Sequence, residues 1–348
     1  MLRTAKILSV IALIGAMALL GFFIMKSEPE RSEATFFPMG GIPFKVVVYG
    51  RTPEQFSDDM EALRQRVAEL EMRFNRFKED SELTEINGLA AGESLKVSKD
   101  MQKILALSRE WNRVSRGALD PTVTPLIELW KNAAKEGRLP DRSMISDARS
   151  RVGFQKIKIS KDRVSLPVQG MSLDFGAMAK GLIADDVANL LMRRGVGRGV
   201  IDAGGNGLAF GTGSFRFGIQ DPLKKRGTLM GAVDVTMGGI MTSGNYERFI
   251  TIDGRRYSHI IDPRTGMPVD NGMIAVTVVG GTGAAADALD TSLMVLGMGE
   301  GREVMKSLPG YEVLMIEKGP DGPVVWVTAE LAPRLKLTKE WADRVRLF

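Results

Sequence analysis

Val276-Thr-Val-Val-Gly-Gly-Thr-Gly-Ala-Ala-Ala-Asp-Ala-Leu-Asp-Thr291 is the stretch on which the fold turns. An apolar, β-branched run ends in glycines and passes into a helix-forming run. Read for its glycines, Gly281-x-Gly283-x-x-Ala286 mimics a dinucleotide-binding fingerprint, which would make the chain a parallel α/β protein. A single match of this kind is weak, and no clear βαβ unit precedes it, so we treat it as a decoy. Read for its acids, the stretch is a strand followed by a helix. Asp287, Asp290 and Thr291 then stand at i, i+3 and i+4 and share one helix face. Carboxylate and hydroxyl oxygens on one face can serve a hard cation, with carbonyls, water or phosphate completing the shell. An acid-rich first turn drawn by the helix dipole would look the same.

Upstream lies the only histidine, His259, inside Tyr257-Ser-His-Ile-Ile-Asp-Pro-Arg-Thr-Gly-Met-Pro268. Asp262 can bond backbone ahead of it, Pro263 fixes φ, and Gly266 supplies a positive φ, so a stiff turn follows the imidazole. Further upstream, Met171-Ser-Leu-Asp-Phe-Gly-Ala-Met-Ala-Lys-Gly181 runs into a helix. Its start offers free N–H groups and a positive dipole end suited to phosphate. Thr52-Pro-Glu-Gln55 is a helix start with a capping box. Phe56, Met60, Leu63, Val67, Leu70, Phe74 and Phe77 follow at helical spacing, with Phe77 at the helix end beside a polar loop. Arg116-Gly-Ala-Leu-Asp-Pro-Thr-Val-Thr-Pro-Leu126 reads as a loop, with Asp120 extended before proline. Gly319-Pro-Asp-Gly322 reads as a hairpin turn between two strands.

The 348 residues suffice for one large domain or two ordinary ones, and 44% hydrophobic with 26% charged residues is a globular composition. With no cysteine, disulfides, thiolate catalysis and Cys-zinc sites are excluded, and one histidine excludes histidine-cluster metal sites. Any metal must be held mostly by oxygen, which favours Mg²⁺ or Ca²⁺. Of 47 basic residues, Arg3, Lys6 and Lys26 belong to the N-terminus; the other 44 face 42 acids, a net +2. That is no polyanion-binding surface, so no nucleic-acid partner is expected. Residues 7–25 form an uncharged apolar run behind Arg3 and Lys6, long enough to span a bilayer. It reads as a signal anchor, or as a cleaved signal peptide with Ala16-Met-Ala18 as the small-x-small site. Either reading puts the bulk of the chain outside the cytoplasm. We expect residues 1–26 as this segment, 27–35 as a polar linker, 36–330 as the main domain and 331–348 as a charged tail or short helix. The fold expected is α+β, with strands clustered in the second half and helices interspersed.

Eight pieces, in order, resemble the ApbE family of FAD:protein FMN transferases. They are Phe36-Phe-Pro-Met-Gly40, Phe74-Asn-Arg-Phe-Lys-Glu-Asp-Ser-Glu-Leu83, Gly117-Ala-Leu-Asp-Pro-Thr-Val-Thr-Pro-Leu126, Leu173-Asp-Phe-Gly-Ala-Met-Ala-Lys-Gly181, Ala203-Gly-Gly-Asn206, Thr242-Ser-Gly-Asn-Tyr-Glu-Arg248, Ser258-His-Ile-Ile-Asp-Pro-Arg-Thr-Gly266 and Ala286-Asp-Ala-Leu-Asp-Thr291. Gly41, where the family usually has threonine, and Leu119, where it often has an aromatic, depart from the pattern. The resemblance implies a single two-lobed, T-fold-related domain behind the N-terminal membrane segment. It implies an exported, Mg²⁺-dependent enzyme that cleaves FAD, releases AMP and attaches FMN to a threonine of a target protein. The partners it implies are exported flavoproteins, such as subunits of sodium-pumping NADH:quinone oxidoreductase or Rnf-type complexes. The membrane implied is the inner one, with the catalytic domain facing the periplasm or cell exterior. By the same resemblance Asp287, Thr291 and the carbonyl of Ala177 are the metal ligands. Met39, Phe77, Ala118, Leu119, Asp120, Asp174, Lys180 and the backbone near Ile261 form the FAD surface, and His259 lies near the flavin phosphates. Asp287, Asp290 and His259 are the candidates for general base. FAD hydrolysis at the same site and a flavin-binding module without turnover are the alternatives.

Overall fold

A computed structural model describes residues 30–38, 41–246 and 249–348. The apolar run 7–25 and Met39 lie outside the described residues, and among those described no helix is long and apolar enough to cross a membrane.

Nine strands form the main sheet, and their order across it follows their order in the chain: β1 Arg31–Phe36, β2 Phe44–Tyr49, β3 Arg198–Ala203, β4 Gly207–Gly211, β5 Gly238–Gly244, β6 Met273–Gly280, β7 Glu312–Gly319, β8 Gly322–Val327 and β9 Val345–Leu347. Every neighbouring pair is antiparallel except β8 with β9. Antiparallel neighbours need no crossover helix; the longer helices sit in two long connections, between β2 and β3 and between β6 and β7, and the fold is α+β. Among the described residues the helices are α1 Pro53–Phe74, α2 Glu82–Asn87, α3 Lys99–Val114, α4 Thr124–Glu136, α5 Arg142–Ser150, α6 Ala179–Arg193, α7 Gly283–Met305 and α8 Lys339–Ala342.

The sheet is buried on both faces, and its strands show it with period two. On β7, Val313 and Met315 join the large core formed with the helices. Leu314 and Ile316 join a second core with Phe215, Val233 and Trp341. That second face is covered by a three-stranded sheet of Phe215–Gln220, Leu229–Val235 and Leu335–Leu337. On α1 the stripe Met60, Leu63, Val67, Leu70 and Phe74 is buried, each side chain contributing roughly 2 kcal/mol. Both bonds of the capping box form, Gln55 N to Thr52 Oγ1 at 3.3 Å and Thr52 N to Gln55 Oε1 at 3.1 Å.

A separate small core joins α4 and α5 to the hairpin of Phe249–Ile252 and Arg255–Ser258, through Leu126, Trp130, Val152, Ile252 and Ile261. Trp130 Nε1 donates to Gly266 O at 2.9 Å, which fastens the turn after His259 onto this lobe. The turn is built as its residues require: Gly266 N bonds Asp262 O at 2.8 Å, and Gly266 has φ 80°.

Three expectations change. The polar linker of residues 27–35 is a strand from Arg31 onward, because Ala34 and Phe36 pair with β2 and pack on the core. Its outward Arg31 and Glu33 gave it a linker's composition. The charged tail of residues 331–348 belongs to the fold: Leu335–Leu337 and β9 join the two sheets, and Trp341 is buried between them. In the sequence Gly297, after the apolar Leu293, Val295 and Leu296, reads as the end of this helix, but it kinks α7 instead, with φ 68° and ψ −174°. Asn271 Nδ2 takes up the carbonyls of Met294 and Val295 there, both at 3.1 Å.

The decoy glycines have a packing role. Asp185 accepts from Gly283 N at 2.6 Å and Ala284 N at 2.9 Å, so a protein carboxylate already sits where a dinucleotide phosphate would. Gly181 on α6 lies against the same turn, and a Cβ there would come within 2.1 Å of Gly283 O. Gly181→Ala must push the two helices apart and is expected to cost about 3 kcal/mol. A urea-melt midpoint unchanged from wild type would contradict this contact.

Candidate active site

The site is assembled where α6, α7 and β5 meet. Lys180, the second residue of α6, places Nζ 2.8 and 3.2 Å from the two carboxylate oxygens of Asp287 on α7. Gly181 N adds a bond to Asp287 Oδ2 at 3.2 Å. One turn along α7, Asp290 Oδ1 accepts from Ser243 Oγ at 3.0 Å and from Thr291 Oγ1 at 3.1 Å. Ser243, on β5, also lies 3.1 Å from Thr291 Oγ1. Asp287 and Asp290 are both buried, and Asp290 Oδ2 has no hydrogen-bond partner among the described residues. Burial, and secondarily the Asp287 charge, hold the Asp290 carboxyl well above the usual carboxylate range. Two neighbouring buried carboxylates with an orphaned oxygen form a locus that an additional cation would relieve.

That donor set fits a hard ion in part. Among the described residues no three His, Cys, Asp or Glu side chains converge on one point, so carboxylates alone do not complete a metal shell. Thr291 and the carbonyls of the loop entering α6, where Ala177 sits, are the other oxygens at hand.

The flavin-facing candidates divide. Phe77 is 78% exposed, with the Arg76 guanidinium 4.6 Å from its ring centre. Arg76 bonds Glu128 at 2.9 Å, and its Nε stands 2.7 Å from Asp174 Oδ2 but off the hydrogen-bonding direction, a charge contact. Asp174 Oδ1 takes Gly176 N at 2.6 Å, and Asp174 N reaches back to Pro121 O at 2.8 Å, joining the loop of residues 117–122 to the α6 entry. Ala118 and Leu119 are buried side chains of the core, so only their backbone is available to a ligand. Asp120 is a brace: its carboxylate accepts from Thr122 N and Oγ1, Phe154 N and Asn112 Nδ2. Burial nevertheless pushes its carboxyl upward, the bonds opposing that shift. A basic depression of about 770 Å³ shares Gly117 and Asp120 with this loop but contains none of Lys180, Asp287 and Thr291.

His259 is partly exposed at the end of the hairpin, and Ile261 beyond it is buried. The chain pins His259 from both sides. Ser258 Oγ donates to Asn245 Oδ1 at 2.5 Å, and Ile260 N donates to Ser258 Oγ at 3.0 Å. Asn245 follows β5 directly, two residues after Ser243, so His259 and the Asp290–Thr291 group hang from one strand end. Reading by residue type singled out Asp287, Asp290 and Thr291 but missed Ser243 and Asn206 as supports. Asn206 Oδ1 takes Thr242 N at 2.9 Å, holding the strand end. The signals were Ser243-Gly-Asn245, a hydroxyl–glycine–amide run, and Gly204-Gly-Asn206, a glycine pair before an amide, each closing an apolar strand.

Known proteins resemble this chain in sequence and in fold. The ApbE family model matches residues 40–315. An FAD:protein FMN transferase of Klebsiella pneumoniae (strain 342) is 32% identical over 284 residues, 78% of this chain and 81% of its own length. Its counterpart in Escherichia coli (strain K12) is 28% identical over 327 residues, 89% of this chain and 93% of its own. Among solved structures, the apo flavinyl transferase ApbE of Pseudomonas stutzeri matches with a TM-score of 0.77 at 27% identity, covering 89% of this chain and 98% of that one. The Vibrio cholerae flavin transferase ApbE gives 0.78 at 26% identity, covering 88% and 99%. In sequence over most of its length, and in fold, this chain belongs to the ApbE family.

Proposed function

We propose that this chain is a Mg²⁺-dependent FAD:protein FMN transferase, which joins FMN to a threonine of an exported flavoprotein and releases AMP. The observation that carries the reading is the buried Asp287–Asp290 pair with half-buried Thr291 on α7, faced by the Lys180 ammonium. In the reaction proposed, the acceptor Oγ attacks the flavin-side phosphorus of FAD. A new P–O bond to threonine forms as the anhydride P–O bond breaks; AMP carries away that oxygen, and the hydroxyl proton passes to a base. Phosphoryl transfer of this kind needs charge neutralisation and alignment more than covalent help. The acceptor threonine is the nucleophile, so the chain needs none of its own.

Asp287, Thr291 and the Ala177 carbonyl would hold Mg²⁺, which when bound would neutralise charge on the pyrophosphate. Lys180 stands beside Asp287 and can place its ammonium on the same phosphates. Asp290 is sealed from solvent and Asp287 is engaged by Lys180 and Gly181, whereas His259 is partly exposed at a pinned loop. Access therefore favours His259 as the base that takes the threonine proton. Phe77, with Met39, the backbone of Ala118–Asp120, Asp174 and the backbone near Ile261, would receive the FAD. The apolar run 7–25 supports anchoring in the inner membrane with the catalytic domain on its outer side.

The test is to incubate the full-length chain in mild detergent with FAD and an acceptor flavoprotein domain, with and without EDTA. A flavin-fluorescent acceptor band on a denaturing gel is expected only without chelator, returning with added Mg²⁺. FMN and AMP in solution with no labelled acceptor would show hydrolysis, and bound FAD with neither product would leave a binding module.

Ser243 holds Thr291 and Asp290. Ser243→Ala is expected to weaken Mg²⁺ binding by roughly 10–100-fold, the usual effect of removing a residue that orients a ligand. Calorimetric titration giving an unchanged affinity would refute that role.

A further inference from the structure

Lys180 is bound more tightly to Asp287 than a phosphate-binding lysine needs to be. Its Nζ contacts both carboxylate oxygens, at 2.8 and 3.2 Å, and also donates to Gly176 O at 3.1 Å, one residue before Ala177. With Gly181 N, three donor contacts reach a carboxylate that has about four lone-pair positions. The ammonium thus bridges Asp287 and the carbonyl that precedes Ala177 in the chain, and it directly contacts one acid of a buried pair.

We infer that Lys180 is a stand-in cation: it holds Asp287 until anionic substrate draws it away, and it competes with Mg²⁺ for that carboxylate. A divalent ion on Asp287 would meet the ammonium within a few ångströms in a buried setting, where like charges repel strongly. The two cations cannot both keep their preferred places. The side chain can yield without moving the backbone, because it is 25% exposed and ends a flexible four-carbon stem, whereas the Gly181 N–H stays in place. Pyrophosphate offers the ammonium a new partner as the metal arrives, so substrate and metal favour each other's binding, reciprocally. Little metal is then held by an enzyme without substrate. The inference rests on Asp287 being a metal ligand and adds the order in which charges exchange there.

The experiment titrates Mg²⁺ alone, without flavin, into the full-length chain in detergent and reads the heat. Lys180→Met is expected to bind Mg²⁺ at least about tenfold more tightly than wild type. Lys180→Arg, which keeps the charge, is expected to stay within about threefold of wild type. If Lys180→Met binds no more tightly than wild type while Asp287→Asn abolishes binding, the stand-in role is wrong and the metal assignment survives. If Asp287→Asn binds as wild type does, the metal assignment itself fails and takes the inference with it. Near-UV circular dichroism checks each variant; Lys180→Gln replaces Lys180→Met if the latter is misfolded.

Discussion

Asp287→Asn is expected to lower FMN transfer to the acceptor by about a thousandfold or more, the scale on which removal of one preorganised charge from a water-poor site acts. The substitution keeps shape and volume but removes the acceptor that Lys180 and Gly181 N share. An amide can turn its oxygen to one of these donors, but its NH₂ then faces the other. Lys180 would lose its anchor, and the proposed metal its one carboxylate ligand. The effect should be on chemistry and not on folding, because α7 is held independently. Asp185 caps its first N–H groups, and Leu289, Leu293 and Met294 fix it in the core. Unchanged far-UV circular dichroism with lost transfer is the expected pair of results. Transfer within tenfold of wild type would remove Asp287 from the reaction.

Trp341→Ala carries the largest stability effect we expect, about 3–5 kcal/mol in equilibrium unfolding. Trp341 is 1% exposed in the core between the main sheet and the three-stranded sheet. Its Nε1 donates at 2.9 Å to Asp221 Oδ2, on a carboxylate that is itself 1% exposed. Truncation would leave both a void and a buried oxygen whose remaining partner is Lys224 at 3.5 Å. A loss under about 1 kcal/mol would mean that the last residues are the loose tail their charge pattern implied.

That tail shows where the sequence stops being legible. Local rules worked where both partners of an interaction lie close in the chain. The capping box of Thr52 and Gln55, the Asp262–Gly266 turn and the shared face of Asp287, Asp290 and Thr291 are all three or four residues wide. Failures came where a partner lies far away. Leu335–Leu337 is a strand because Leu229–Val235 is there to pair with it, and the Arg31–Phe36 strand because β2 is. The site is of the second kind: Lys180 and Asp287 are 107 residues apart, and Ser243 and Thr291 are 48. Nothing in the periodicity of either segment sets those distances; only the resemblance to a family brought their motifs together. Nor does the sequence show that the Asp120 carboxylate accepts from four donors of its own protein.

The central claim is that the buried acids on α7 and the lysine on α6 serve transfer of FMN to protein. The most direct measurement is the intact mass of the acceptor after incubation with the full-length chain, FAD and Mg²⁺, alongside AMP released into solution. The account requires an acceptor heavier by FMN less water, with one AMP per adduct, and neither product with Asp287→Asn. AMP and free FMN in equal amounts, with the acceptor mass unchanged, would contradict it.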